Sequence, residues 1–344
     1  MFGGRSVVYV TSSSTRYTSY YAITDDGRCW SWGQNDYGQL GRGNTTDETT
    51  TPVEMTAQSG SGLLNKKVLH IMSSEGNSNV VRTWFLTTEG KVYFCGQNET
   101  YGAYSGLISA SSSVNITLPA ELTDAATTIN SDGQKVVSMY LGGGRYSAQY
   151  FITDGGNSGE SASKVYACGY NTAGEMGTGS DLADGNAAGN WRLKEIEFDS
   201  GPEIMMTDHN STQVTGTKST FDSGGSNQNR MKIGRIVKVM QHGHGSNTTF
   251  PVMALDEFGQ AYGCGEWASY SPIAYYNKDD HIDFQGSNDY TTRFVKMYQQ
   301  PEPFIDLTFV NRTTEDEVAY AGITRSGKLY LGGYAGWTLL GNLS

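Results

Sequence analysis

Charge is scarce in this chain of 344 residues: Asp, Glu, Lys and Arg make up 17% of it. The 24 basic residues are outnumbered by 35 acidic ones, for a net charge of −11. Binding to phosphate backbones needs clustered Lys and Arg, so no nucleic-acid partner is expected. Hydrophobic residues reach only 37%, and no apolar run approaches the roughly 20 residues that cross a bilayer as a helix. No membrane insertion is expected, and residues 1–20 lack the apolar core of a signal peptide. There are four Cys and five His, with no Cys-x-x-Cys pair and no Cys/His zinc spacing. Gly-x-Ser-x-Gly is absent, and no Gly-Lys-Ser/Thr ending marks a phosphate loop. No long stretch shows the 3.6-residue period of an amphipathic helix.

What is abundant is Gly, with 44 residues, and Tyr, with 22. Much of the Gly belongs to a pattern that occurs five times. It reads Gly27-Arg28-Cys29-Trp30-Ser31-Trp32-Gly33, then Gly90-Lys91-Val92-Tyr93-Phe94-Cys95-Gly96. Ser163-Lys164-Val165-Tyr166-Ala167-Cys168-Gly169 is the third copy and Gly259-Gln260-Ala261-Tyr262-Gly263-Cys264-Gly265 the fourth. Gly327-Lys328-Leu329-Tyr330-Leu331-Gly332-Gly333 is the last. Before each copy an apolar run ends in Thr or Asp, at Thr24, Thr87, Thr153, Asp256 and Thr324. Strand, polar turn with Gly, strand is a hairpin, with turns expected at Gly27, Gly90, the 154–163 loop, Gly259 and Gly327. Another strand precedes each hairpin, near residues 7–10, 67–72, 135–139, 235–239 and 304–307. A fourth follows four of them, at 52–55, 118–122, 192–196 and 293–296. A unit of this kind cannot bury its own apolar face, so units must stack.

The expected fold is therefore an all-β propeller of five repeated four-stranded units, the last incomplete for want of a final strand. The units span about 1–60, 61–125, 126–200, 231–300 and 301–344 within a single domain 1–344. Residues 201–230 form a polar insertion. Either the ring closes by circular permutation, or another segment or chain supplies the missing strand. An open edge would fit a component of a larger assembly.

The run Gly33-Gln34-Asn35-Asp36-Tyr37-Gly38-Gln39-Leu40-Gly41-Arg42-Gly43 resembles the signature of the regulator-of-chromosome-condensation repeat. Gly169-Tyr170-Asn171-Thr172-Ala173-Gly174-Glu175-Met176-Gly177-Thr178-Gly179 is similar to it, with Glu for Gln and Met for Leu. The resemblance implies a propeller, and it suggests an intracellular regulator such as an exchange factor for a small GTPase. The residues themselves read as structural. Glycines allow a tight path, Asn35 bonds local backbone, and Leu40 fills an apolar gap between units.

Few residues point to chemistry. His242 and His244 lie two apart with no third ligand nearby. The acidic runs at 279–283 and 181–186 read as solvated loops. Cys95, Cys168 and Cys264 share one repeat position, held by Trp32 in the first copy and Gly332 in the last. Equivalent positions in different blades do not meet disulfide geometry, so four buried free thiols are expected, with no structural metal and no cofactor. The candidate contact residues are Trp267, Tyr270, Tyr275 and Tyr276, aromatics in the polar loop 266–290.

Tyr with Ser, Gly and Asn is a mix suited to recognition loops. The composition resembles that of phage tail fibres and decoration proteins. The expected function is thus a non-enzymatic structural or receptor-binding protein of a virus particle, with the propeller as platform and the loops as contact surface. Its partners would be other chains of an assembly and a host surface glycan or receptor. The alternatives are the cytoplasmic regulator and a secreted carbohydrate- or enzyme-binding propeller.

Overall fold

Each apolar run ending in Thr or Asp turns back through Gly and forms a hairpin. In the first, β2 (Ser19–Thr24) pairs antiparallel with β3 (Cys29–Gly33), placing Ile23 opposite Cys29. Gly27 adopts φ 84°, which a side chain would oppose, and its N–H bonds the Thr24 carbonyl at 2.8 Å. Gly90, Gly259 and Gly327 make the same bond to Thr87, Asp256 and Thr324. The Thr or Asp receives the returning strand. The Thr87 hydroxyl accepts from the Lys91 N–H, Thr324 from Lys328, and the Asp256 carboxylate from Gln260. In the third hairpin the one-turn 3-10 helix Gly156–Ser158 lengthens the loop, and the Thr153 hydroxyl still accepts from Lys164.

The computed structural model describes residues 2–13, 18–73, 81–98, 114–122, 129, 133–142, 147–159, 163–171, 174–179, 193–196, 206–207, 213–214, 234–242, 251–266, 290–297, 300–310, 319–333 and 336–342. Five hairpins each gain a strand on either side and become four-stranded antiparallel sheets in chain order. Blade one is β1 (Val7–Ser12), β2, β3 and β4 (Glu48–Glu54). Blade two is β5 (Val68–Ser73), β6 (Arg82–Thr87), β7 (Val92–Asn98) and β8 (Val114–Glu121). Blade three is β9 (Val136–Leu141), β10 (Ala148–Thr153), β11 (Val165–Gly169) and β12 (Lys194–Glu195). A two-stranded pair, β13 (Met206–Thr207) and β14 (Gln213–Val214), lies within the polar insertion. Blade four is β15 (Ile236–Gln241), β16 (Val252–Asp256), β17 (Ala261–Glu266) and β18 (Tyr290–Lys296). Blade five is β19 (Phe304–Val310), β20 (Ala319–Thr324), β21 (Lys328–Gly333) and β22 (Gly336–Asn342).

The fifth unit is therefore complete, against the expectation from sequence. β22 pairs with β21 along its length, from Lys328 opposite Asn342 to Gly333 opposite Gly336. Only residues 334–335 separate the two strands. The strand thus lacks the long polar approach that marks fourth strands in the other copies.

Consecutive blades touch through their first strands, the innermost position of the arc. The turn Gly docks the next blade: Val68 donates its N–H to the Gly27 carbonyl at 2.8 Å, Val136 to Gly90 at 3.0 Å and Phe304 to Gly259 at 2.9 Å. Side chains alternate along each strand, so every blade has a leading face toward its predecessor and a trailing face toward its successor. Four apolar clusters fill the four gaps. Between blades one and two, Tyr21, Ile23, Cys29, Leu40 and Met55 meet Val68, Ile71, Phe85, Tyr93 and Cys95. The other gaps repeat this with Trp84 and Phe94 against Phe151, Tyr150 and Ile152 against Val239, and Leu255 against Leu307. Each fully buried aliphatic or aromatic side chain contributes about 1.5–3 kcal/mol, so the core is distributed over these gaps.

Candidate interaction site

The signature loop is a clamp between blades. Asn35 accepts the Leu40 N–H on Oδ1 at 2.9 Å and donates from Nδ2 to the Asn44 carbonyl at 2.9 Å. Asn171 accepts the Met176 N–H in the same way at 2.8 Å. This holds the Gln39 carbonyl where the Tyr21 hydroxyl of its own blade reaches it at 3.0 Å and the Cys95 thiol of the next blade at 3.1 Å. In the third copy the Glu175 carbonyl accepts from the Tyr150 hydroxyl and, at 3.7 Å, from the Cys264 thiol of blade four. The repeated Cys is thus a small donor to the preceding loop as well as a buried hydrophobe. Burial, with the neighbouring Cys29 for Cys95 and Glu175 for Cys264, pushes both thiols well above their ordinary range. All four cysteines are free and buried. Gly38 and Gly41 take φ of 77° and 66°, and a Cβ on Gly38 would lie 2.8 Å from Thr117 of blade two. The loop that reads as structural in sequence is structural, and its residues are consumed in holding blade to blade.

Trp267, Tyr270, Tyr275 and Tyr276 lie outside the described residues, as do His244 and the runs 181–186 and 279–283. His242 packs its ring on Phe309 of blade five, edge to face at 5.5 Å, and its N–H bonds the Pro251 carbonyl. It serves the seam between blades four and five.

Among the described residues, the two ends of the arc carry blade faces with no other blade against them. Among the described residues no apolar cluster joins blade five to blade one. The innermost positions Val68, Val136, Ile236 and Phe304 are buried, yet their equivalent Val7 is 38% exposed. Ile71, Met139, Val239 and Leu307 are buried, yet their equivalent Val10 is 65% exposed. The outer half of this leading face is sealed differently. Trp32 stands where blades two, three and four carry Cys, Tyr20 stacks on it at 5.6 Å, and Phe2 packs edge to face on Trp30 at 5.5 Å and on Trp32 at 6.2 Å. Here bulk takes the place of a small residue. At the far end, Ala321, Ile323, Leu329 and Leu331 are all partly exposed. Their equivalents Trp84, Leu86, Val92 and Phe94 in blade two are buried. The sequence points to an unpaired strand edge here, whereas the structure completes the sheet with β22 and leaves two faces. The Trp32 exception to the Cys column was the available signal.

Residues 26–78 match the model of the Regulator of chromosome condensation (RCC1) repeat. Five four-stranded sheets in chain order, stacked face to face through four apolar seams, settle the architecture. It is a β-propeller, RCC1-like over residues 26–78. Among solved structures, human WBSCR16 aligns with TM-score 0.51 and 15% identity, over 95% of this chain and 61% of that one. Yeast RCC1 (Prp20), solved with Kap60 bound, gives 0.42 and 14%, over 95% and 70%. Prp20p from Saccharomyces cerevisiae gives 0.42 and 15%, over 98% and 77%. At these identities the likeness concerns fold. The RCC1-like chain spans less than two thirds of the length of human WBSCR16.

Proposed function

We propose that this RCC1-like propeller is a non-enzymatic platform for protein–protein contacts, working as a component of a virus particle. The observation that carries the platform reading is the pair of unpartnered blade faces, Val7 and Val10 at one end and Ile323, Leu329 and Leu331 at the other. Apolar side chains left exposed on a blade face are candidates for an interaction site. The signature residues of the repeat are spent on stacking, so function falls to faces and loops, as is usual for such scaffolds. The composition, poor in Lys and rich in Gly and Tyr, supports the particle setting by analogy with fibre and decoration proteins. The loop aromatics Trp267, Tyr270, Tyr275 and Tyr276 are proposed as anchors for a receptor or glycan.

The test is mild isolation of the chain from its native source, with cross-linking and mass spectrometry. The proposal expects recovery from virus particles at fixed stoichiometry, with cross-links from the end blades or residues 267–289 to other protein molecules. Recovery as a lone chain linked only to itself contradicts the platform. Recovery in a complex that is not a particle contradicts the setting alone.

A further inference from the structure

The two ends of the arc are the two halves of one interface. The chain builds that interface four times, always by the same rule. The first and fourth residues of an inner strand enter the trailing face of the blade before. Val68 and Ile71 lie in one cluster with Tyr21, Ile23 and Cys29. Phe304 and Leu307 lie in one cluster with Met253, Leu255 and Ala261. Strand register makes Val7 and Val10 the equivalents of the entering pair, since Val7 faces Thr24 and Val10 faces Ala22 as Val68 faces Thr87 and Ile71 faces Phe85. It makes Ala321, Ile323 and Leu329 the equivalents of the receiving set.

We propose that blade five of one molecule receives blade one of a second copy, head to tail, repeating the interface between blades. The proposal rests on the platform reading and names its partner. Val7 and Val10 of one molecule then pack on Ala321, Ile323 and Leu329 of the other. The Val7 N–H takes the Gly327 carbonyl, as Val68 takes Gly27 and Phe304 takes Gly259. Phe2 already covers Trp30 and Trp32, which confines the contact to the inner half of the leading face. Both halves sit on one chain, so a second copy completes the interface with no other chemistry. Because the faces differ, the contact is heterologous and adds molecules in one direction until rotation closes a ring or leaves a filament. The faces are apolar while each copy carries a net charge of −11, so added salt screens repulsion and strengthens association.

The experiment is sedimentation equilibrium on the purified chain over a range of concentrations, with Val10→Asp on the leading face and Leu329→Asp on the trailing face. The parent protein is expected to exceed one-chain mass as concentration rises. Each variant alone is expected to stay at one-chain mass with a melting transition near the parent's. An equimolar mixture of the two is expected to give a two-chain species and nothing larger, because one intact face of each kind remains. Should Leu329→Asp lose its melting transition, Ala321→Asp replaces it. A parent that stays monomeric overturns the proposal and gives the faces to a different protein. Association that survives both variants, or a mixture that stays monomeric, overturns it as well. None of these outcomes touches the platform reading, which is tested on the native complex.

Discussion

Gly41 shows how much a single position in the signature carries. Its φ of 66° disfavours any side chain, and a Cβ there would meet Met55 and, at 3.0 Å, Pro119 of the next blade. Gly41→Ala is therefore expected to lower stability by about 1–3 kcal/mol, read as a fall in melting temperature. Leu40, fully buried between blades one and two, should cost about 2–5 kcal/mol as Leu40→Ala. His70 sits at the same seam, its ring 5.5 Å from that of Tyr9. Burial lowers its pKa below the ordinary value of 6.5. The unfolded chain then binds the proton more readily, so the stability from a neutral His70 is present above pH 6.5 and is lost as pH falls below it. Chemical denaturation at pH 7.5 and pH 5 should show this loss in the parent and a smaller one in His70→Gln; equal losses in both would remove His70 as the cause.

At the scale of elements, the hairpins were legible because two local signals coincide, an apolar run and a Gly at positive φ. All five appear at the expected turns, and in four of them the Thr or Asp accepts from the returning strand. The fourth strand of blade five was not legible. Trp337, Thr338 and Leu339 follow a connection of two residues and lack the Pro and charged residues found in other fourth strands. The Cys column was legible as buried thiols, but its reason was not, because the acceptor carbonyls at Gln39 and Glu175 lie 56 and 89 residues away from Cys95 and Cys264. Native protein should accordingly leave all four thiols unreactive to a bulky reagent at pH 8, whereas guanidinium-unfolded protein should titrate four. Rapid labelling of the native state would place a cysteine outside the blade seams.

At the scale of the whole molecule, the number of units and their order could be read from spacing, but the openness of the arc could not. Whether faces meet depends on the angle between blades, and no residue pattern records that angle. The candidate loop aromatics belong to this scale too, since the role proposed for them is binding rather than folding. Trp267→Ala is expected to leave the melting temperature within a few degrees of the parent and to weaken attachment to the partner by about 2 kcal/mol; a collapsed fold with unchanged attachment per folded molecule would make that aromatic part of the core.

The five blades form an arc whose first and last faces do not meet. Spin labels on the exposed inner-strand positions Val8, Leu69 and Ile305 test it by pulsed dipolar distance measurement, with labelled chains diluted into unlabelled ones. In an open arc the 8–305 distance is clearly longer than the 8–69 distance between adjacent blades. Equal distances would mean that blade five closes on blade one and would contradict the account.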